Sequence, residues 1–201
     1  MVIVLLVSGM RMASAASILV FGDSLSASYG LARQESWPHL LAERLRRDHP
    51  HYTVVNASIS GETTQGGLRR IDEALQRHRP AIVVLALGAN DGLRGSSLTA
   101  MRANLERMIE ASRKSGAAVL LVGMRIPPNY GPDYTKKFAG TFSEIAKTRG
   151  IALVPFLLEG FADQPNYFQA DQLHPTAAAQ PKILDTLWPP LERLIKNNKN
   201  R

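Results

Sequence analysis

Short unbroken apolar runs alternate along the chain with longer segments in which apolar residues recur every three or four positions. The runs fall at 18–21, 53–55, 81–87, 117–122 and 151–154, and they are rich in Val, Ile and Leu. Runs of this kind, without polar alternation, predict strands buried on both faces of a parallel sheet. Helix-length segments lie between them. Trp37, Leu40, Leu41 and Leu45 mark one over 37–47; Leu68, Ile71 and Leu75 mark a second over 67–78. Met101, Leu105, Met108 and Ile109 mark a third over 98–113; Phe138, Phe142, Ile145 and Ala146 mark a fourth over 134–147. The last, 177–195, carries Leu184, Leu187, Leu191 and Leu194 but also Pro189-Pro190. Adjacent prolines predict a kink there, or two short helices. The order βαβαβαβαβ plus a closing helix predicts a three-layer α/β/α sandwich around a five-stranded parallel sheet, with right-handed crossovers. No repeat or linker interrupts it, so the pattern predicts one domain.

The apolar stretch 2–7 stands apart from this pattern. It is far shorter than the roughly 20 residues that cross a bilayer. Ala13-Ser14-Ala15 follows, the small-x-small pattern of a signal-peptide cleavage site. The expectation is a signal peptide over 1–15, a folded domain over 16–201, and a periplasmic or secreted protein without a stable membrane anchor. A buried first strand is the alternative for the same stretch.

Composition narrows the chemistry. The 201 residues include no cysteine. Disulfides, a thiolate nucleophile and cysteine-based metal sites are thereby excluded. The formal charge is +7, but Lys and Arg are scattered and the only basic run is the tail 196–201. That distribution reads as a solvated surface, not a nucleic-acid interface. G-x-S-x-G, G-x-x-x-x-G-K, G-x-G-x-x-G and H-E-x-x-H are all absent, so neither the usual nucleophile elbow nor phosphate, dinucleotide or zincin motifs are supported. His39, His49, His51 and His78 lie in or beside polar helix segments and read as surface residues. Asn56-Ala57-Ser58 matches a glycosylation sequon.

Ligands of an open parallel sheet bind beyond the carboxyl ends of its strands. Gly22-Asp23-Ser24-Leu25-Ser26 follows the first run, and a loop ending in Ser60-Gly61-Glu62 follows the second. Gly88-Ala89-Asn90-Asp91-Gly92 follows the third, and Asp171-Gln172-Leu173-His174-Pro175 comes after the fifth. Each alone is an ordinary turn or helix cap. Together they place a hydroxyl, an imidazole and a carboxylate at one sheet edge. A serine hydroxyl becomes nucleophilic when a base takes its proton. His174 is the candidate base for Ser24, and Asp171, three residues earlier, the group that fixes its tautomer. The N–H groups of Ser24 and Gly61 and the amide of Asn90 are candidate oxyanion donors. A histidine base predicts activity rising through roughly pH 6 to 7. Apolar residues at the loop ends, Leu25, Leu93, Ile126, Pro127 and Tyr130, are the candidates for binding an acyl chain.

Gly22-Asp23-Ser24-Leu25-Ser26, Gly61, Gly88-x-Asn90-Asp91 and Asp171-x-x-His174 resemble, in order, the four blocks of the SGNH, or GDSL, hydrolase family. Val54 to Thr63, Gly88 to Gly95 and Ile126-Pro127-x-Asn129-Tyr130-Gly131 resemble its subgroup of periplasmic acyl-CoA thioesterase/protease/lysophospholipases and arylesterases. The resemblance implies a flavodoxin-like sandwich, a Ser24–His174–Asp171 triad, an oxyanion hole of Ser24, Gly61 and Asn90, and no cofactor or metal. It implies hydrolysis of small-molecule acyl esters and thioesters; a monomer is the separate expectation for the assembly. Ser28 departs from it, standing where related sequences often carry glycine. A carbohydrate acetylesterase on the same fold and a non-catalytic flavodoxin-like binding domain remain alternatives. A receiver-type signalling domain fits less well, since Asp23 stands without a second acid beside it.

Overall fold

The computed structural model describes residues 15–198. The expected signal peptide falls, apart from Ala15, outside them. Five strands form one parallel sheet: β1 (Ala16–Gly22), β2 (Tyr52–Asn56), β3 (Ile82–Ala86), β4 (Ala118–Val122) and β5 (Ala152–Val154). Their spatial order is β2-β1-β3-β4-β5. The chain therefore reverses direction across the sheet between β1 and β3, and the loops leaving these two neighbours diverge.

Side chains alternate between the two faces, as the pleat requires. Ile18 and Val20 of β1 join one core with Trp37, Leu41 and Leu45 of α1 (Trp37–Asp48) and Ile183, Leu187 and Leu191 of α6 (Gln180–Asn198). Leu19 and Phe21 join the other, against α2 (Thr64–His78), α4 (Leu98–Lys114) and α5 (Pro132–Arg149). This is the expected three-layer sandwich.

Four details differ from the sequence reading. β1, β3 and β4 are buried nearly throughout, but the edge strands β2 and β5 are partly open, because each has a neighbour on one side only. Residues 177–179 form a short 3-10 turn, and α6 then runs unbroken through Pro189-Pro190. The carbonyls that lose their partners to these prolines belong to exposed Asp185 and half-buried Thr186, where water can reach them. Residues 89–93, expected as a turn, close into a short helix α3 (Ala89–Leu93). His49 is also not a surface residue: it is buried at the end of α1, beside Trp188 and 3.8 Å from Glu192. Its backbone N–H caps α1 on Leu45 O, which draws its ring between α1 and α6.

Candidate active site

The first element of the site is the turn that ends β1. A Cβ on Gly22 would lie 2.9 Å from Ala86 O of β3, so only glycine lets the two strands close up here. Asp23 Oδ1 accepts the Leu25 N–H at 3.0 Å, and Asp23 O accepts the N–H groups of Ser26 and Ala27. This tight turn leaves the Ser24 hydroxyl at the sheet edge. Ser28 adopts a φ of 63°, in the left-handed region that glycine enters without a Cβ penalty.

The second element is the loop before α6. A bridge between Phe168 and Pro175 pins its ends, and Gln169 N donates to His174 O at 2.8 Å. Within it, Asp171 Oδ1 accepts the N–H groups of Leu173 and His174 at 2.9 and 3.0 Å. The short side chain thus folds its own loop into a turn. Asp171 Oδ2 lies 2.7 Å from His174 Nδ1, and His174 Nε2 lies 2.9 Å from Ser24 Oγ. An ionised carboxylate only accepts, so Nδ1 carries the ring proton and Nε2 is free to accept from the hydroxyl. Tyr29 packs on the imidazole with ring centroids 4.3 Å apart, and its backbone O accepts Gln169 Nε2 at 2.9 Å.

Two carboxyl groups near Ser24 differ sharply. The N–H groups of His174 and Leu173, then the His174 ring, pull Asp171 down to about 2. Burial pushes Asp23 up to about 7, against the hydrogen bonds to its oxygens, with a smaller upward push from the Asp91 and Glu62 charges. Asp23 Oδ2 is buried without a partner among the described residues.

The third element faces Ser24 from the other side of the reversal point. Asn90, at the start of α3, lines the same cavity as Ser24 and His174, and its Nδ2 donates to Glu62 O at 3.0 Å. One amide hydrogen is held by that carbonyl, which leaves the second to point elsewhere. Gly61 has a φ of 77° and does not itself line the cavity. Among the described residues, neither the Ser24 nor the Gly61 N–H has an intramolecular acceptor. Asp91 is buried and accepts both the Thr64 N–H, at 2.9 Å, and the Thr64 hydroxyl, at 2.6 Å, tying α3 to the start of α2.

A cavity of about 520 Å³ opens beside the Ser24–His174 pair. Four of the five predicted acyl-binding residues, Leu25, Leu93, Ile126 and Pro127, line it. Tyr130 does not. Its ring packs against the core, and its hydroxyl donates to Leu93 O at 2.8 Å, so it buttresses the wall from behind. Sequence reasoning missed Met124, Phe156, Leu158, Phe168 and Leu173, the larger side chains among the rest of the apolar lining. Phe156 and Leu158 follow β5 directly, and an apolar segment leaving a strand end was the available signal. Among the described residues, no three His, Asp or Glu side chains gather as a metal site would require. No helix among them is long and apolar enough to cross a membrane.

Residues 20–180 match the model of the GDSL-like lipase/acylhydrolase family. The esterase TesA of Pseudomonas aeruginosa is 45% identical over 185 residues, 92% of each chain. The thioesterase 1/protease 1/lysophospholipase L1 of Escherichia coli is 37% identical over 188 residues, 94% of this chain and 89% of that one. The solved structure of the psychrotrophic esterase EstA from Pseudoalteromonas sp., inhibited by monoethylphosphonate, is 39% identical and superposes with a TM-score of 0.85 over 90% of this chain and 98% of that one. With a family model matched over most of its length and full-length relatives of this similarity, the chain belongs to the GDSL-like lipase/acylhydrolase family.

Proposed function

We propose that the protein is a serine esterase and thioesterase that works through an acyl-enzyme on Ser24. The observation that carries this reading is the continuous contact from Asp171 Oδ2 through His174 to Ser24 Oγ, at 2.7 and 2.9 Å. The printed names of the relatives, an esterase and a thioesterase/lysophospholipase, support the same chemistry.

Ser24 Oγ attacks the ester or thioester carbonyl carbon while its proton passes to His174 Nε2. The imidazolium so formed is stabilised by Asp171, which stays ionised throughout. The carbonyl oxygen becomes an oxyanion, held by the N–H groups of Ser24 and Gly61 and by Asn90 Nδ2. Each such donor is worth about 3–4 kcal/mol at the transition state. Nε2 then returns the proton to the leaving group, and the C–O or C–S bond breaks. Water, deprotonated by the same nitrogen, releases the acid and restores Ser24.

Leaving-group chemistry sets the substrate class. A thiol has a pKa of roughly 8.5, so its thiolate departs with little help, and aryl esters share that advantage. The apolar cavity supports acyl chains longer than acetyl over the sugar-acetate alternative. A signal peptide over 1–15, a monomeric domain over 16–201 and a periplasmic or secreted location complete the reading. The test is fluorophosphonate labelling of the purified protein alongside hydrolysis of a series of acyl esters and thioesters. Labelling and turnover are expected to vanish together in Ser24→Ala. Turnover that persists in that variant overturns the reading.

A further inference from the structure

We propose that Arg70 is a positioning residue that sets two oxyanion donors, the Gly61 N–H and Asn90 Nδ2, by holding Glu62; the inference rests on the donor set read above. Arg70 lies on α2, behind the loop that runs from β2 to α2. Its Nε donates to Glu62 Oε2 at 2.6 Å and its Nη1 to Ala57 O at 2.8 Å. Its guanidinium carbon sits 4.1 Å from the ring centroid of Phe21, three residues before Ser24. One planar group therefore joins both ends of the loop to β1. A lysine would supply a point charge but not this fork. The side chains of Arg70 and Glu62 are only 22% and 12% exposed, so water competes little for the pair.

Glu62 passes the constraint on to both donors. Its backbone O is the acceptor for Asn90 Nδ2 at 3.0 Å. Its own N–H donates to Ile59 O at 3.2 Å, and its Oε1 accepts the Thr63 N–H at 3.2 Å. The Gly61 N–H belongs to the peptide between Ser60 and Gly61, the central peptide of the turn that the Glu62 N–H closes on Ile59 O, so a shift of Glu62 opens that turn and turns the Gly61 donor as well. Packing does not hold Gly61 in place, since a Cβ built there meets nothing within 4 Å. The restraints are hydrogen bonds: those of Glu62, those of Arg70, and one from Arg94 Nη2 to Gly61 O at 3.2 Å. Arg94 is exposed, whereas the Arg70 pair is sheltered. Loss of Arg70 frees the acceptor that orients Asn90 and the peptide that carries the Gly61 donor in one step. Transition-state stabilisation depends steeply on such placement, and a misfit of about 1 Å can cost roughly 100-fold in rate.

The test is a double-mutant cycle on a short-chain aryl ester, comparing Arg70→Met in the native and Asn90→Ala backgrounds. In the native background kcat is expected to fall about 10- to 100-fold, with KM within about twofold and the pH midpoint of the rising limb unmoved, because His174 is untouched. In Asn90→Ala the same substitution is expected to cost less than about fivefold, since one of the two donors it places is already gone. A loss that multiplies in full across both backgrounds, a loss confined to KM, or a kcat within twofold of the native value overturns the proposal. Glu62→Gln/Arg70→Met removes both charges and leaves neither buried alone, so it carries the same test if Arg70→Met does not fold. Failure of the serine mechanism shows separately, as turnover retained in Ser24→Ala.

Discussion

Polar and apolar groups around Ser24 divide into those that face the cavity and those that lie behind its walls, and the two sets do different work. His174 and Asp171 sit on a loop open to solvent, and their side chains are 20% and 38% exposed. Asp91 and Glu62 lie underneath, and Asp23, though part of the cavity lining, is almost wholly buried; their oxygens accept backbone N–H groups or an arginine. Asp171 and Asp23 have the same chemical group a short distance from one hydroxyl, yet their ionisation is driven in opposite directions. Backbone donors hold Asp171 as an anion, whereas burial favours the neutral form of Asp23. Environments that push two like groups apart assign them their roles. The anion can stabilise an imidazolium; the buried acid, which accepts the Leu25 N–H, shapes the turn beneath the nucleophile.

The largest test of this contrast is Asp171→Asn. Its Oδ1 can still accept the Leu173 and His174 N–H groups, so the loop keeps its shape. Its Nδ2 can only donate to His174 Nδ1, which forces the proton onto Nε2 and blocks acceptance from Ser24. Turnover is expected to fall about 10³- to 10⁴-fold with the fold intact, as steady-state kinetics and circular dichroism would show. A fall under tenfold would mean that the exposed carboxylate does not set the tautomer.

Asp23 is tested through stability. Its folded pKa is raised to about 7 from 3.8, so between those values the folded chain keeps a proton that the unfolded chain has released. Its contribution is therefore complete below about pH 4 and is lost as pH rises towards 7, by up to about 4 kcal/mol. Asp171 has the opposite sign: its contribution is present above its unfolded pKa and lost as pH falls towards 2. Asp23→Asn, followed by urea unfolding from pH 4 to pH 7.5, is expected to remove the downward slope relative to the native chain. Parallel curves for the two proteins would show that Asp23 is already charged in the fold.

The cavity-facing groups were largely legible in the sequence, and the supporting layer was not. Ser24, Asn90 and His174 stand out because strand-end loops need no such residues for turning, and the parallel sheet brings those loops to one edge. The central strands were legible for a related reason: burial on both faces leaves them apolar, apart from Ser17 at the start of β1. Arg70 and Glu62 carry no such signal, because an arginine on an amphipathic helix reads as surface until the partner across the loop is placed. The same applies to His49, whose position at the end of a polar helix hides its burial against Trp188. Tyr130 was misplaced because sequence locates a residue at a loop but not on a particular side of a wall. The continuity of α6 depended on where the freed carbonyls of Asp185 and Thr186 point, which only packing decides.

The apolar wall offers two smaller tests of the same distinction. Leu93 faces the cavity, so Leu93→Trp shortens the space open to an acyl chain. Excluding two or three methylenes, at about 0.8 kcal/mol each, is expected to lower kcat/KM for octanoyl relative to acetyl esters roughly 10- to 60-fold. An unchanged chain-length ratio would place the acyl group elsewhere. Tyr130 lies outside the cavity lining and donates its hydroxyl to Leu93 O. Tyr130→Phe keeps the ring in the core and leaves that carbonyl without this donor, a loss of about 1 kcal/mol. In a domain of this size that lowers Tm by about 2–4 °C in a thermal melt. The chain-length ratio should stay within twofold of native, because no substrate atom meets the lost hydroxyl. A changed ratio with an unchanged Tm would reverse the assignment and put Tyr130 at the substrate surface, so the two readouts together separate a buttress from a lining residue.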